Sequence, residues 1–371
     1  MNKRTNFRER IFDLIIRMAL PILLCLATVI FGAEGIAEKL LTISFFISHP
    51  LSIFVEENSQ VEKEIYQDGI EENSPQTEAV NSSIVFTAAS DVKKLVDEAE
   101  KKYTNSSNDG KISAEDYSIK NATSEYNGIY LRNTTQEHNE IDIASYLNKK
   151  IKASIDKNKP TILIYHTHTS ETYELLDRGF YTNERSTRSA NSAENMVRVG
   201  EEICKVLESN GYKTIHDKTV YDETVSGAYT RARENISKIL KENPSIQVVL
   251  DIHRDSIFLK DGTRVKTVSQ IGGEKVAQIM ITTGCEDGNV TNFPNWEKNL
   301  TFALNLQQSL VHEAPSLMRP LNLAGRKYNM DLIPCALHIE IGTDANTLTE
   351  AINSASLLGE ALSNLLEKYK I

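Results

Sequence analysis

Short apolar runs alternate with amphipathic, helix-periodic stretches along the C-terminal part of this chain, and no other feature restricts its fold as tightly. The run "TILIY" (161–165) precedes the helix pattern "SAENMVRVGEEICKVLESNG" and the strand "YKTIHD". "AYTRARENISKILKEN" leads into "SIQVVLDIH", and "KVAQIMITTG" into "NWEKNLTFALNLQQSLVHEA". "CALHIEIG" leads into a last helix over 347–369. Such alternation predicts an α/β fold, a mostly parallel sheet flanked by helices. "ILIY" and "IQVVL" are apolar at every position, as strands covered on both faces must be. The domain is expected to begin at Tyr126. "YNGIYLRNTT" supplies a short strand and "EIDIASYLNKKIKASI" an amphipathic helix.

The N-terminal part reads differently. Met18 to Ala33 is uncharged and apolar, and with Ile11 to Ile16 it approaches the roughly 20 residues that span a bilayer. Lys3, Arg4, Arg8 and Arg10 precede the run, whereas Glu34 and Glu38 follow it. The positive-inside rule then places the N-terminus in the cytoplasm and the rest outside, as a single-pass membrane protein. Residues 1–34 are read as a basic flank and transmembrane anchor, with a cleaved signal peptide as the competing reading. Residues 35–125 are read as a membrane-proximal segment and a disordered acidic tether with a short helix near Asp91–Tyr103. Residues 126–371 are read as the catalytic domain. From Glu56 to Asp116 fifteen acidic residues face six basic ones, so this stretch carries -9 of the formal charge of -10. An acidic chain of this kind is not built to bind nucleic acid. Cys25, Cys204, Cys285 and Cys335 are far apart in sequence and imply no disulfide framework or zinc ribbon.

Chemistry concentrates at three strand ends. "ILIYHTHTSETY" stops at His166 and His168, with Glu171 three residues on. "VVLDIHRDS" carries His253, and "LHIEIGTDANT" carries Glu340. Ligands of open α/β sheets bind at the carboxyl ends of the strands, so one crevice can collect all three segments. His168, Glu171 and His253 form a two-histidine, one-carboxylate set that holds Zn2+ and leaves a fourth position open. Glu340 is then the general base. His166, Arg254, Asp255 and Asn346 are expected to contact substrate or support the site. Each piece has a plainer alternative: His253 as a buried structural histidine, Glu340 as an ion-pair partner of Arg254 or Arg326. His338 shares the face of Glu340 but lies deeper. His216 is read as structural. Neither Ser170 nor Ser256 has the Gly-x-Ser-x-Gly surroundings of a nucleophile elbow.

The blocks "ILIYHTHTSETY", "VVLDIHRDS", "NWEKNLTFALNLQ", "RKYNMDLIP" and "LHIEIGTDANTLTEA" resemble the stage II sporulation protein P family from Tyr126 to the C-terminus. The resemblance implies a membrane-anchored peptidoglycan hydrolase of endospore engulfment with the fold of zinc N-acetylmuramoyl-L-alanine amidases. It also implies endopeptidase cleavage of cross-links. The implied partners are peptidoglycan, the sporulation protein D transglycosylase and the sporulation protein M membrane component. Carried over by position, His168 and His253 are the metal histidines and Glu340 the catalytic glutamate. The middle ligand is Glu171 by its HxxE spacing, or Glu194, which opens the next helix as in typical amidases. His166 rivals His168, and Thr167 stands where amidases usually have glycine. A catalytically silent module that binds peptidoglycan or partner proteins is the alternative function.

Overall fold

The computed structural model describes Phe86 and residues 89–371. The expected anchor at 1–34 and most of the membrane-proximal segment lie outside the described residues. Among the described residues no helix is long and apolar enough to cross a membrane.

In chain order the elements are α1 (Ser90–Lys102), β1 (Gly110–Glu115), β2 (Ser124–Tyr126), β3 (Ile129–Asn133), α2 (Ile143–Leu147), β4 (Pro160–Tyr165), β5 (Phe180–Tyr181), α3 (Met196–Ser209), β6 (Lys213–His216) and α4 (Ala228–Glu242). They continue with β7 (Val248–Asp255), β8 (Arg264–Ile271), β9 (Glu274–Ala277), β10 (Ile279–Gly284), α5 (Trp296–Glu313), β11 (Leu321–Ala324), β12 (Ala336–Thr343) and α6 (Leu348–Glu367). An eight-stranded sheet runs β2-β3-β11-β10-β12-β7-β4-β6. Neighbouring strands are parallel except at β2–β3 and β10–β12. The fold is thus the expected α/β layering, with β10, β11 and β3 running opposite to β12, β7, β4 and β6.

Alternation along the strands builds two cores. Ile162, Ile164, Leu250, Ile252, Leu337 and Ile339 pack with α3, α5 and α6. Leu163, Tyr165, Val249 and Ala336 face the other way, onto Ala232 and Ile236 of α4. The helix ends follow from local chemistry. Asn195 caps α3 by accepting from the Val197 amide. Thr347 and Glu350 form a reciprocal capping box on α6.

Two expectations are corrected, and the short strand expected over 126–135 is found as β3, the second arm of a hairpin. Asn127 and Gly128 both have positive φ, the two-residue turn that matches strand twist. The helix expected over 140–155 stops at Leu147, because Ile155 pairs instead with the backbone of Tyr369 and Ile371. The tether is folded from Ser90 onward. Val92 and Ala99 of α1 join the main core, and β1 pairs with β8 in a second sheet ordered β5-β1-β8-β9. Its acidic composition hid a few apolar anchors. At Gly342 the backbone is closely approached from within the fold. A Cβ there would lie 2.6 Å from Asn346 Oδ1 and 2.7 Å from Ala277 Cβ, at a φ of +63°. This glycine sits where the β12–β7 register shifts, between Glu340 and Thr343.

Candidate metal centre and active site

Three adjacent strands, β4, β7 and β12, deliver the site. Their parallel register places Tyr165 beside Asp251, Asp251 beside His338, and His253 beside Glu340. Side chains two apart on a strand share a face. Asp251, His253, His338 and Glu340 therefore form one patch on the face toward α4. Asp251, His253 and His338 each bring a donor atom within 4.8 Å of the other two, a cluster able to hold a metal ion.

The segment after β4 turns back onto this patch. Thr167 donates from its amide to Asp251 Oδ1 at 2.9 Å and from its hydroxyl to Oδ2 at 2.7 Å. The Glu171 amide then donates to the His168 carbonyl at 3.2 Å. That turn is why the HxxE spacing puts both side chains at one place. The His168 ring lies 5.3 Å from the His253 ring, and Glu171 Oε2 lies 3.5 Å from His253 Nδ1.

His253 is held between two carboxylates, since its Nε2 lies 2.8 Å from Asp251 Oδ1. Burial opposes a charge on this imidazole, but Asp251 and Glu171 outweigh it and raise the pKa well above the usual value. Burial likewise opposes ionisation of Glu171. His253, Arg254 and His168 outweigh it and hold that carboxyl well below the usual range. Metal loading would have to displace the His253 proton. The two carboxylates are held differently. Asp251 is fixed by two short bonds from Thr167, whereas Glu171 is held only by longer contacts, 3.8 Å to Arg188 and 3.5 Å to the Arg254 amide.

Glu340 is 6% exposed, and its Oε1 lies 2.7 Å from His338 Nε2. Burial pushes its pKa up, but His338 and His253 pull it below the usual value. Glu340 Oε2 and His338 Nδ1 are buried without a hydrogen-bond partner. Such orphaned atoms are costly unless a bound group satisfies them. Nitrogen and oxygen donors without thiolate suit zinc among other divalent ions.

The other expected residues lie elsewhere or act indirectly. His166 is fully buried, with Nδ1 2.9 Å from the Ile252 carbonyl oxygen and Nε2 2.9 Å from His216 Nε2. It faces the α3 side, so strand parity separates it from His253. The Arg254 guanidinium donates to the Thr172 and Thr187 carbonyls and clamps the loop carrying Glu171. Asp255 accepts from Arg319 at 2.9 Å. The Asn346 side chain accepts from the Thr343 amide and donates to Thr267 and Glu350. Neither Asp255 nor Asn346 presents a free group to substrate. Glu194 pairs with Arg185 at 3.1 Å and accepts from the Ser189 hydroxyl.

Comparison with known proteins gives the family. Residues 48–363 match the family described as Stage II sporulation protein P. This chain belongs to that family. The stage II sporulation protein P of Bacillus subtilis (strain 168) is 28% identical over 220 residues, 56% of this chain and 51% of that protein. The chain therefore matches about half the length of this relative. Similar solved structures include the N-acetylmuramoyl-L-alanine amidase AmiC2 of Nostoc punctiforme, at 9% identity and a TM-score of 0.33, covering 58% of this chain and 98% of that one. The CwlD amidase of Clostridioides difficile, solved in complex with the GerS lipoprotein, gives 14%, 0.33, 56% and 98% in the same order. Scores this low carry no argument about the site.

In this stage II sporulation protein P family member, three site residues escaped sequence reasoning. Asp251 stands two before His253 in "LDIH", but a single Asp inside an apolar run carries no metal-ligand spacing of its own. Tyr229 and Tyr328 gave no signal. The Tyr229 ring lies 5.6 Å from that of His168, and the Tyr328 ring 5.0 Å from that of His338.

Proposed function

We propose that this chain is a zinc-dependent peptidoglycan hydrolase that cleaves the amide between N-acetylmuramic acid and L-alanine during endospore engulfment, and also acts on peptide cross-links. The observation that carries the reading is His253 held between Asp251 and Glu171, register-paired with Glu340, whose Oε2 has no partner. His168, Glu171 and His253 would hold the metal, with Asp251 fixing the His253 tautomer. When bound, zinc supplies a Lewis acid for the scissile carbonyl and a nucleophile active at neutral pH. Glu340 Oε2 takes up the proton of the attacking water and delivers it to the leaving nitrogen. His338 holds Oε1 and keeps the second oxygen aimed at the site. The two half-buried tyrosines limit water at the cleft.

Family membership supports action at the sporulation septum with the D and M proteins as partners. The basic N-terminal flank supports a cytoplasmic N-terminus and an extracytoplasmic domain. Protease added to wall-stripped cells should digest the domain; full protection until lysis would oppose that topology. The activity itself is tested by digesting sacculi with the full-length chain. Zinc-loaded protein should release peptides with a free L-alanine amino group, and chelated protein should not. New sugar reducing ends, or binding without any cleavage, would sink the amidase reading.

A further inference from the structure

Next to the histidine patch lies a pocket of about 490 Å3 lined by Tyr229, Arg233, Lys327, Tyr328, Asn329 and Asp331. Two of its lining rings touch the proposed site, Tyr229 at 5.6 Å from the His168 ring and Tyr328 at 5.0 Å from that of His338. The Tyr229 and Tyr328 rings stack at 5.0 Å, and Tyr328 in turn stacks at 5.0 Å on His338.

Two independent features indicate what it takes. The first is backbone strain. Tyr328 and Asn329 have φ of 43° and 59°. Asparagine tolerates this left-handed region, but a bulky residue there is costly and persists only when its surroundings fix it. The Asn329 side-chain Nδ2 donates to the Tyr229 carbonyl at 3.0 Å and locks the turn to α4. A glycine at 328 would adopt the same backbone without steric strain, so what the tyrosine adds is its ring beside His338.

The second feature is charge. Arg233 makes two bonds to Asp331, at 2.7 and 2.9 Å, and Lys327 Nζ lies 3.8 Å from the same carboxylate. The Asp331 side chain is only 8% exposed, against 43% for Arg233 and 35% for Lys327. Two cations around one covered anion leave an open positive rim on a protein whose net charge is -10. Such a rim selects ligands carrying carboxylates. An uncharged sugar makes no use of it.

We propose that this pocket is the subsite for the acidic peptide arm of the substrate. The peptide backbone lies across Tyr229 and Tyr328, and a side carboxylate meets Arg233 and Lys327. The assignment rests on the hydrolase reading above and adds to it the direction in which the substrate lies: peptide toward α4 and the 327–331 turn.

The test is calorimetry of the full-length chain with two synthetic probes, the dipeptide L-alanyl-D-glutamate and its diamide. The acidic form should bind about tenfold tighter, the size of one charge-assisted hydrogen bond. Lys327→Gln should bring the ratio of the two affinities close to one. Tyr328→Gly should weaken both probes, read well below the variant's own thermal midpoint, because loss of the half-buried ring and relief of its backbone strain act oppositely on stability. Reading below that midpoint separates lost contact from lost structure. Equal affinity of the wild-type chain for both probes, or a ratio unchanged in Lys327→Gln, would overturn the proposal. So would tighter binding of N,N′-diacetylchitobiose than of the acidic dipeptide, which would give the pocket to the glycan. Sacculus digestion by the same preparation reports separately on the amidase reading. Cleavage without acidic preference refutes the subsite alone, and acidic preference without cleavage refutes the amidase alone.

Discussion

Asp251 and Glu171 reach His253 from opposite sides of its ring, at 2.8 Å from Nε2 and 3.5 Å from Nδ1. A metal on the Nδ1 side uses Glu171 and His168. A metal on the Nε2 side uses Asp251 and His338. The bonds already made by Asp251 favour the first arrangement.

Metal content of single variants separates the two. His253→Ala loses zinc under either arrangement. Glu171→Gln and His168→Ala should also lose it, because two ligands do not hold a structural or catalytic ion. Asp251→Asn should retain a site about 10–100-fold weaker, the usual effect of removing an orienting carboxylate. Glu194→Gln should bind as the wild type does, since its partners are Arg185 and Ser189. Stoichiometric zinc in Glu171→Gln, together with its loss in His338→Ala, would move the ion to the Asp251 side.

Glu340→Gln tests the proton path. The amide keeps the side chain's size and can still pair with His338, but it is not basic. The variant should fold, keep its metal and cleave sacculi about 10²–10⁴-fold more slowly. Undiminished cleavage would remove Glu340 from the chemistry.

What the sequence made legible here followed from periodicity. The two-sided apolar strands around 162–165 and 248–250 set the layering. Histidine and glutamate at strand ends indicated one crevice, and the register of β7 with β12 brings His253 and Glu340 side by side. What stayed hidden depended on pairing between distant segments. Nothing local marks β10 as antiparallel to β12, or β1 as a partner of β8. The choice between His166 and His168 turned on which face each meets once the chain leaves β4. His166 still follows the strand toward α3, whereas the turn held by Thr167 and Asp251 redirects His168. Parity carried past Tyr165 places His166 correctly but puts His168 on the same face, so it could not single out the histidine that meets His253.

The pair of buried His166 and half-buried His216 should make the fold acid-sensitive in a definite window. Burial lowers His166 to about 4 and His216 to about 3, the neighbouring imidazole adding to the effect on His216. Both are neutral in the folded chain, whereas an unfolded histidine titrates near 6.5. The unfolded state therefore binds more protons below that value, and stability falls as the pH drops from about 6.5 toward the folded values. Above about 6.5 the pair contributes no slope. Urea midpoints at pH 7 and 5 should differ in the wild type and differ less in His216→Gln. An equal drop in both proteins would show that other groups set the acid sensitivity.

Gly342 links the bulge in β12 to the position of Glu340. Its φ of +63° is strained for any residue with a Cβ, and the Cβ would collide with Asn346 Oδ1 and Ala277. Asn346 cannot retreat easily, because its side chain also bonds the Thr343 amide, the Thr267 carbonyl and Glu350. Gly342→Ala should therefore cost about 1–3 kcal/mol in backbone strain, with crowding added to it. The nearest relief is a shift of β12, which carries Glu340 two residues earlier. Cleavage should fall even at temperatures where the variant is folded. Metal content should hold, since His168, Glu171 and His253 come from β7 and the loop after β4. Chemical denaturation, zinc analysis and sacculus digestion on one preparation read all three. Unchanged stability would refute the strain argument, and lost zinc with normal cleavage would refute the division of labour between β12 and its neighbours.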